Sequence, residues 1–236
     1  ITSLWQDTSG TTQVTADGQN VDRADNQNTY SFTLSGTAEG FSCSGTTDIT
    51  DLRDNSTNAQ YKTGIINGEP VIRFLSTNDY YSFTTISTGY SACAKRPYTV
   101  ILVVKDVVGN AGDQILGDYT GNSSFLKLSD GDAGYVSVQI GGSNELVGPT
   151  LGSTETAILT VVIDEANSWI RKNGGTKYAG TINTVTNTLF GLPGHSGYGV
   201  DSADLGSFIL TPRAMTDTEI DAIEAELATK YGITLP

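Results

Sequence analysis

The stretch that decides the fold is Ala203–Ile233, ADLGSFILTPRAMTDTEIDAIEAELATKYGI, close to the C-terminal end. Ala203–Thr211 reads as a β-strand, and after a short turn the rest reads as one amphipathic helix. Thr216 with Glu219 three residues later forms a capping box, and Asp217 and Glu219 put negative charge at the positive end of the helix dipole. Ile220, Ile223, Leu227 and Tyr231 recur at steps of three and four, making one apolar stripe. Lys230 in the last turn and Gly232 beyond it mark the stop. Ala222, Ala225 and Ala228 favour helix and are expected to fit close to a neighbouring surface. The signals agree on a closing helix over 216–231.

Within that helix, Glu219–Glu224, EIDAIE, resembles the E-x-D-x-x-E signature of laminarinase-type glycoside hydrolases. That resemblance implies an acid, a nucleophile and an intervening aspartate lined up on a bulged strand, facing one sugar cleft. On a helix, two residues five apart diverge by roughly 140° around the axis. Glu219 and Glu224 then cannot flank one glycosidic bond. The helical reading makes them a solvated acidic face and predicts a chain that is not an enzyme.

Composition narrows the partners. The 236 residues carry a formal charge of -13 with a pI near 4.3. That balance disfavours nucleic acid, which needs a basic patch, and anionic membrane surfaces. No apolar run approaches the ~18 residues of a membrane span, so no membrane insertion is expected. High acidity suits an extracellular or particle-surface protein that must stay in solution. A chain beginning at Ile1 reads as a processed product or an excised piece. Gly 27 against Pro 6 points to short strands joined by tight turns.

The strand pattern is densest in the middle of the chain. Val71–Phe74 follows an Asn67-Gly68 turn, and Tyr80–Phe83 follows Asn78-Asp79. Tyr98–Val104, YTVILVV, is the most apolar run and is expected to be a central strand buried on both faces, as is Ala157–Ile163. Between them lie Gln114–Tyr119, Ser124–Leu128 and Tyr135–Ile140. Ser168–Lys172 and Thr176–Tyr178 flank Asn173-Gly174-Gly175, residues that accept a positive φ and so signal a hairpin. Thr188–Leu192 and Ala203–Thr211 complete the set. The pattern predicts an all-β, two-sheet antiparallel jelly-roll sandwich with one C-terminal α-helix, in a single domain.

Four stretches together resemble the concanavalin A-like, laminin-G-like jelly rolls of bacteriophage virion and tail proteins. They are LWQDTSGTTQVTADGQNV from Leu4, YKTGIINGEPVIRFLSTNDYYSF from Tyr61, SWIRKNGGTKY from Ser168, and DTEIDAIEAELATKYGI from Asp217. Residues 24–58 and 86–96 fall outside the resemblance and read as insertions. They carry Cys43 and Cys93, too far apart for a zinc or C-x-x-C motif; a disulfide between two loops and two free thiols both fit. The resemblance implies a sandwich whose commonest work is glycan or surface recognition, with structural decoration of the particle as the alternative.

Candidate site residues follow from that chemistry. Glycan binding needs exposed aromatics that stack on a sugar face, with carboxylates and amides for the hydroxyls. Tyr80 and Tyr81 are adjacent on a strand, so one faces out if the other faces in; Tyr119, Tyr135 and Tyr198 lie in or near loops, whereas Trp169 on the SWIRK strand reads as core. His195, the sole histidine, sits in a Gly-rich loop with no nucleophile motif beside it, so contact with a ligand is the most it offers. Calcium is the plausible metal for this architecture, with Asp79, Asp113, Asp118, Asp130 and Asp132 as candidate loop ligands. The leading expectation is a non-catalytic recognition module on a virus particle or tail that binds cell-surface or environmental carbohydrate. A virion structural protein contacting neighbouring subunits, or forming a homo-oligomer, comes second, and a glycosidase or lyase third.

Overall fold

The computed structural model describes residues 3–6, 12–21, 23–25, 32–33, 37–38, 41–42, 46–47, 51–54, 59–76, 81–83, 97–118, 124–128, 134–140, 144–182, 190–192, 199–211 and 213–236. From the N-terminus come β1 (Ser3–Trp5), β2 (Arg23–Asp25), β3 (Phe32–Thr33), β4 (Thr37–Ala38), β5 (Phe41–Ser42), β6 (Thr46–Thr47) and β7 (Asp51–Asp54). The hairpin β8 (Gln60–Ile66) and β9 (Glu69–Phe74) follows, then β10 (Tyr81–Phe83), β11 (Tyr98–Val108), β12 (Gln114–Asp118) and β13 (Ser124–Leu128). Next are β14 (Tyr135–Ile140), β15 (Asn144–Thr150), β16 (Thr156–Ile163), β17 (Ser168–Lys172) and β18 (Tyr178–Gly180). β19 (Phe190–Leu192), β20 (Ser202–Thr211) and the helix α1 (Asp217–Tyr231) complete the chain.

Most of these strands build two large antiparallel sheets, while β3 pairs with β6 and β4 with β5 in two small two-stranded ones. Of the large sheets, one is nine-stranded, in the order β1-β2-β7-β10-β19-β12-β13-β14-β15; the other is seven-stranded, β18-β17-β16-β11-β20-β9-β8. Between the sheets, Phe74, Leu102, Leu159 and Val161 of the smaller one pack with Leu116, Leu126, Val136 and Val138 of the larger. Alternation along the strands sends Ile101, Val103, Ile158 and Val162 to the other face, where they meet Ile220, Leu227 and Tyr231 of α1. That two-sided burial is why β11 and β16 carry near-continuous apolar runs. Each aliphatic side chain fully buried there contributes about 1.5–3 kcal/mol relative to exposure.

The helix ends follow the sequence reading. The Thr216 hydroxyl accepts from the Glu219 N–H while the Thr216 N–H donates to the Glu219 carboxylate, and Gly232 closes the helix at φ 65°. Ile220, Leu227 and Tyr231 are buried, but Ala222 and Ala225 are exposed and only Ala228 of the three alanines meets the sheet. The close fit comes instead from Gly206. A bulge between β11 and β20 sets it under Tyr231, whose hydroxyl donates to the Gly206 carbonyl at 2.5 Å, and an added Cβ there would lie 2.9 Å from the ring.

Several boundaries shift. Asn173 and Gly174 do take positive φ, at 51° and 71°, but the second hairpin strand starts at Tyr178 and not at Thr176. β15 adds a strand that the sequence pattern does not predict; it contains Gly148-Pro149 and lies at the outer edge of its sheet, where a proline is tolerated. Gly148 is needed there, since a Cβ would sit 2.6 Å from Ile170. Cys43, Cys93 and the whole of 86–96 lie outside the described residues. Among the described residues no helix is long and apolar enough to cross a membrane.

Candidate functional site

The three acids of EIDAIE face three different surroundings. Glu219 takes two hydrogen bonds from Arg213, at 2.8 and 2.6 Å, and one from the Thr216 N–H at 2.8 Å. Arg213 first, and Thr216 after it, hold the Glu219 carboxyl down at about 2. Asp221 accepts from Arg171 at 2.6 Å. Glu224 corrects the expectation of a solvated acidic face: it is 1 % exposed, tucked between helix and sheet. There its Oε1 accepts from Thr160 at 2.5 Å and from Arg171 Nε at 3.0 Å, and its Oε2 lies 2.9 Å from the guanidinium. Burial lowers the Arg171 pKa, but Asp221 and Glu224 more than reverse that and leave it raised. The network fastens α1 to β16 and β17. Trp169 belongs to the same layer, with Lys177 4.4 Å and Arg171 5.3 Å from its ring centroid.

Of the candidate tyrosines, Tyr135 is the one whose side chain lies among the described residues. Val136 and Val138 of β14 point into the core at 0 % exposure, so Tyr135, Ser137 and Gln139 alternate onto the outer face of the nine-stranded sheet. The register continues that face across three strands, Lys127 opposite Ser137 and Ser137 opposite Val147, with Gln139 opposite Glu145. Lys127 donates to Gln139 at 2.9 Å and lies 3.4 Å from Glu145, while Ser137 donates to Glu145 at 2.6 Å. Tyr135 is 39 % and Val147 48 % exposed. One face therefore sets an exposed aromatic ring and an exposed aliphatic side chain beside a polar cluster whose members pair with one another, with Lys127 12 % and Glu145 33 % exposed.

The other candidates divide by position. Tyr81 is on β10 and Asp118 on β12, both strands of this sheet. Tyr80, Tyr119, His195, Tyr198, Asp79, Asp130 and Asp132 lie outside the described residues. Asp113 sits in the turn before β12, where its carboxylate accepts from the Asn110 N–H at 2.5 Å. Burial raises its pKa and repulsion from Asp201 adds to the rise, against the lowering effect of Asn110. Among the described residues no group of three or more His, Cys, Asp or Glu side chains gathers for a metal.

Lys127, Ser137, Gln139, Glu145 and Val147 were not singled out from the sequence. A signal existed in YVSVQI and SFLKL, where polar residues alternate with core valines and leucines. Glu145 and Val147 carried none, since their strand went unread.

No family model matches the chain, and no curated protein matches it. Solved structures show the fold. A Trypanosoma rangeli sialidase in complex with sialic acid aligns with a TM-score of 0.53 at 14% identity, over 86% of this chain and 36% of that one. A receptor binding domain aligns at 0.56 and 9% identity, over 81% of this chain and 49% of its own. The binding domain of botulinum neurotoxin DC, in complex with rat synaptotagmin II, aligns at 0.53 and 8% identity, covering 80% and 50%. The chain thus spans about a third of the sialidase and half of the two binding domains. At these identities the likeness defines the class by architecture: a two-sheet antiparallel β-sandwich.

Proposed function

We propose that this sandwich is a non-catalytic carbohydrate-recognition module, carried at the surface of a virus particle or tail and directed at host-surface or environmental glycans. The observation that carries the reading is the exposed Tyr135, one pleat from the Lys127–Ser137–Gln139–Glu145 cluster on a rigid sheet face. A sugar lies with its C–H face on the ring while its hydroxyls exchange hydrogen bonds with the amide and carboxylate. Non-catalysis is supported by the commitment of Glu219 to Arg213 and of Asp221 and Glu224 to Arg171, a helix-to-sheet network in place of a shared cleft. The virion setting rests on the resemblance of the four sequence stretches to phage jelly rolls.

Calcium as a structural ion belongs to the same proposal, with Asp113, in the turn before β12, as its candidate loop ligand among the described residues. A glycan array, read with calcium and with chelator, tests the function; binding that Tyr135→Ala removes supports it, and an empty array in both conditions counts against it.

A second reading, a decoration protein that contacts neighbouring subunits, draws on the same exposed pair, Tyr135 and Val147. It requires a stable oligomer in size-exclusion chromatography that Val147→Glu converts to monomer.

A further inference from the structure

A polar row crosses the outer face of the seven-stranded sheet, the face that also carries α1. Gln60 is opposite Arg73, Arg73 opposite Asp204, and Asp204 opposite Lys105. Ile72, Phe74, Ala203, Leu205 and Val104 alternate with these residues into the core between the sheets. Asp204 is 1 % exposed, and it accepts from Arg73 Nε at 2.6 Å and from Nη2 at 2.7 Å. This two-point grip fixes the guanidinium plane and leaves Nη1 uncommitted by the pair.

One rung further, the ladder breaks. Lys105 pairs with Asp204 and Val108 with Ser202, so Asp106 and Val107 together stand against Ala203. Val107 goes into the core, and Asp106 adopts φ 51°, a left-handed conformation that Asp tolerates better than most residues with a Cβ. The bulge brings a 41 % exposed carboxylate beside Arg73. Between them opens a cleft of about 240 Å³, walled also by Leu75 and Ser202. That is below the ~300–1,000 Å³ of pockets for drug-sized ligands, and it suits a single ring. Leu75 is 48 % exposed, and Val108, opposite Ser202, is 44 % exposed.

The charges decide what fits. Asp204 cancels Arg73, and Lys105 Nζ lies 4.0 Å from Asp106, so no positive excess remains to hold an anion. The chain as a whole, at -13, repels one. A carboxylate acceptor and a guanidinium donor across a small cleft, with an aliphatic wall, match adjacent hydroxyls on an uncharged ring. We infer that the Arg73–Asp106 cleft is a second binding site, for one neutral sugar ring. One hydroxyl donates to Asp106, its neighbour accepts from Arg73 Nη1, and the C–H face rests on Leu75. The site is separate from the Tyr135 face and stands without it.

The test is an amide NMR titration of the whole chain with methyl β-D-galactoside, methyl α-D-glucoside and methyl α-D-mannoside, with D-glucuronate as the anionic probe. At least one neutral glycoside is expected to shift the amides of residues 73–75, 106–108 and 202–204 saturably, and glucuronate to bind weaker by about tenfold. Asp106→Asn, which tolerates the same φ, should weaken binding about tenfold. Leu75→Ala should weaken it while Tyr135→Ala leaves it unchanged. The inference is overturned if no neutral probe shifts those amides, if glucuronate binds more tightly, or if Asp106→Asn and Leu75→Ala both bind as the parent does.

Discussion

Glu224 occupies a position that the apolar stripe would give to a leucine: four residues after Ile220 and three before Leu227. A carboxylate there survives burial because Arg171 and Thr160 meet it, and it is worth more to the helix position than to solubility. Glu224→Ala would leave Arg171 buried with only Asp221 as partner, a loss of about 3–5 kcal/mol by the general cost of breaking a buried ion pair. Urea denaturation measures it, and a loss below about 1 kcal/mol would contradict the assigned role. Glu219 is the exposed counterpart. Its carboxyl is held at about 2 against an ordinary 4.5, so its contribution is present above 4.5 and fades as pH falls toward 2. Thermal midpoints followed from pH 6 to pH 2 should fall less steeply in Glu219→Gln than in the parent; parallel profiles would show that the pairing is energetically silent.

At the scale of elements, the helix, β11 and β16 were legible because each repeats its pattern for two turns or more, or runs apolar without interruption. Thr216→Ala should cost about 1 kcal/mol through loss of the cap. Gly206→Ala should cost about 1–3 kcal/mol, since the new methyl meets the Tyr231 ring and Val103 with nowhere to move. Both are read from denaturation curves, and a neutral Gly206→Ala would mean that the helix end does not press on the sheet. What stayed hidden had physical reasons. β15 is an edge strand, where the ladder makes fewer demands on Gly148 and Pro149, and Glu224 is a charge whose partner lies 53 residues away. Likewise Arg73 and Asp204 are 131 residues apart, and no local pattern pairs them. The charges breaking the apolar runs VIRF, VVKDVV and ADLG were the available clue.

Across the whole molecule, the seven-stranded sheet is the middle layer, with the nine-stranded sheet on one side and α1 on the other. One outer face carries Tyr135 and the other the Arg73 cleft, so the sandwich can present two independent polar surfaces. Structural calcium belongs at this scale, since it would bind at a sheet end and act on the entire fold. A midpoint higher with calcium than with chelator is expected, by about 2.7 kcal/mol of added stability at a hundredfold excess over Kd, and Asp113→Asn should abolish the rise. Identical midpoints would remove the ion from the account. The most direct test of carbohydrate recognition is a glycan array probed with the parent chain and with Tyr135→Ala, the two having first been shown to melt together. The account predicts defined hits that the substitution removes; an array blank for the parent, or the same hits from both proteins, would contradict it.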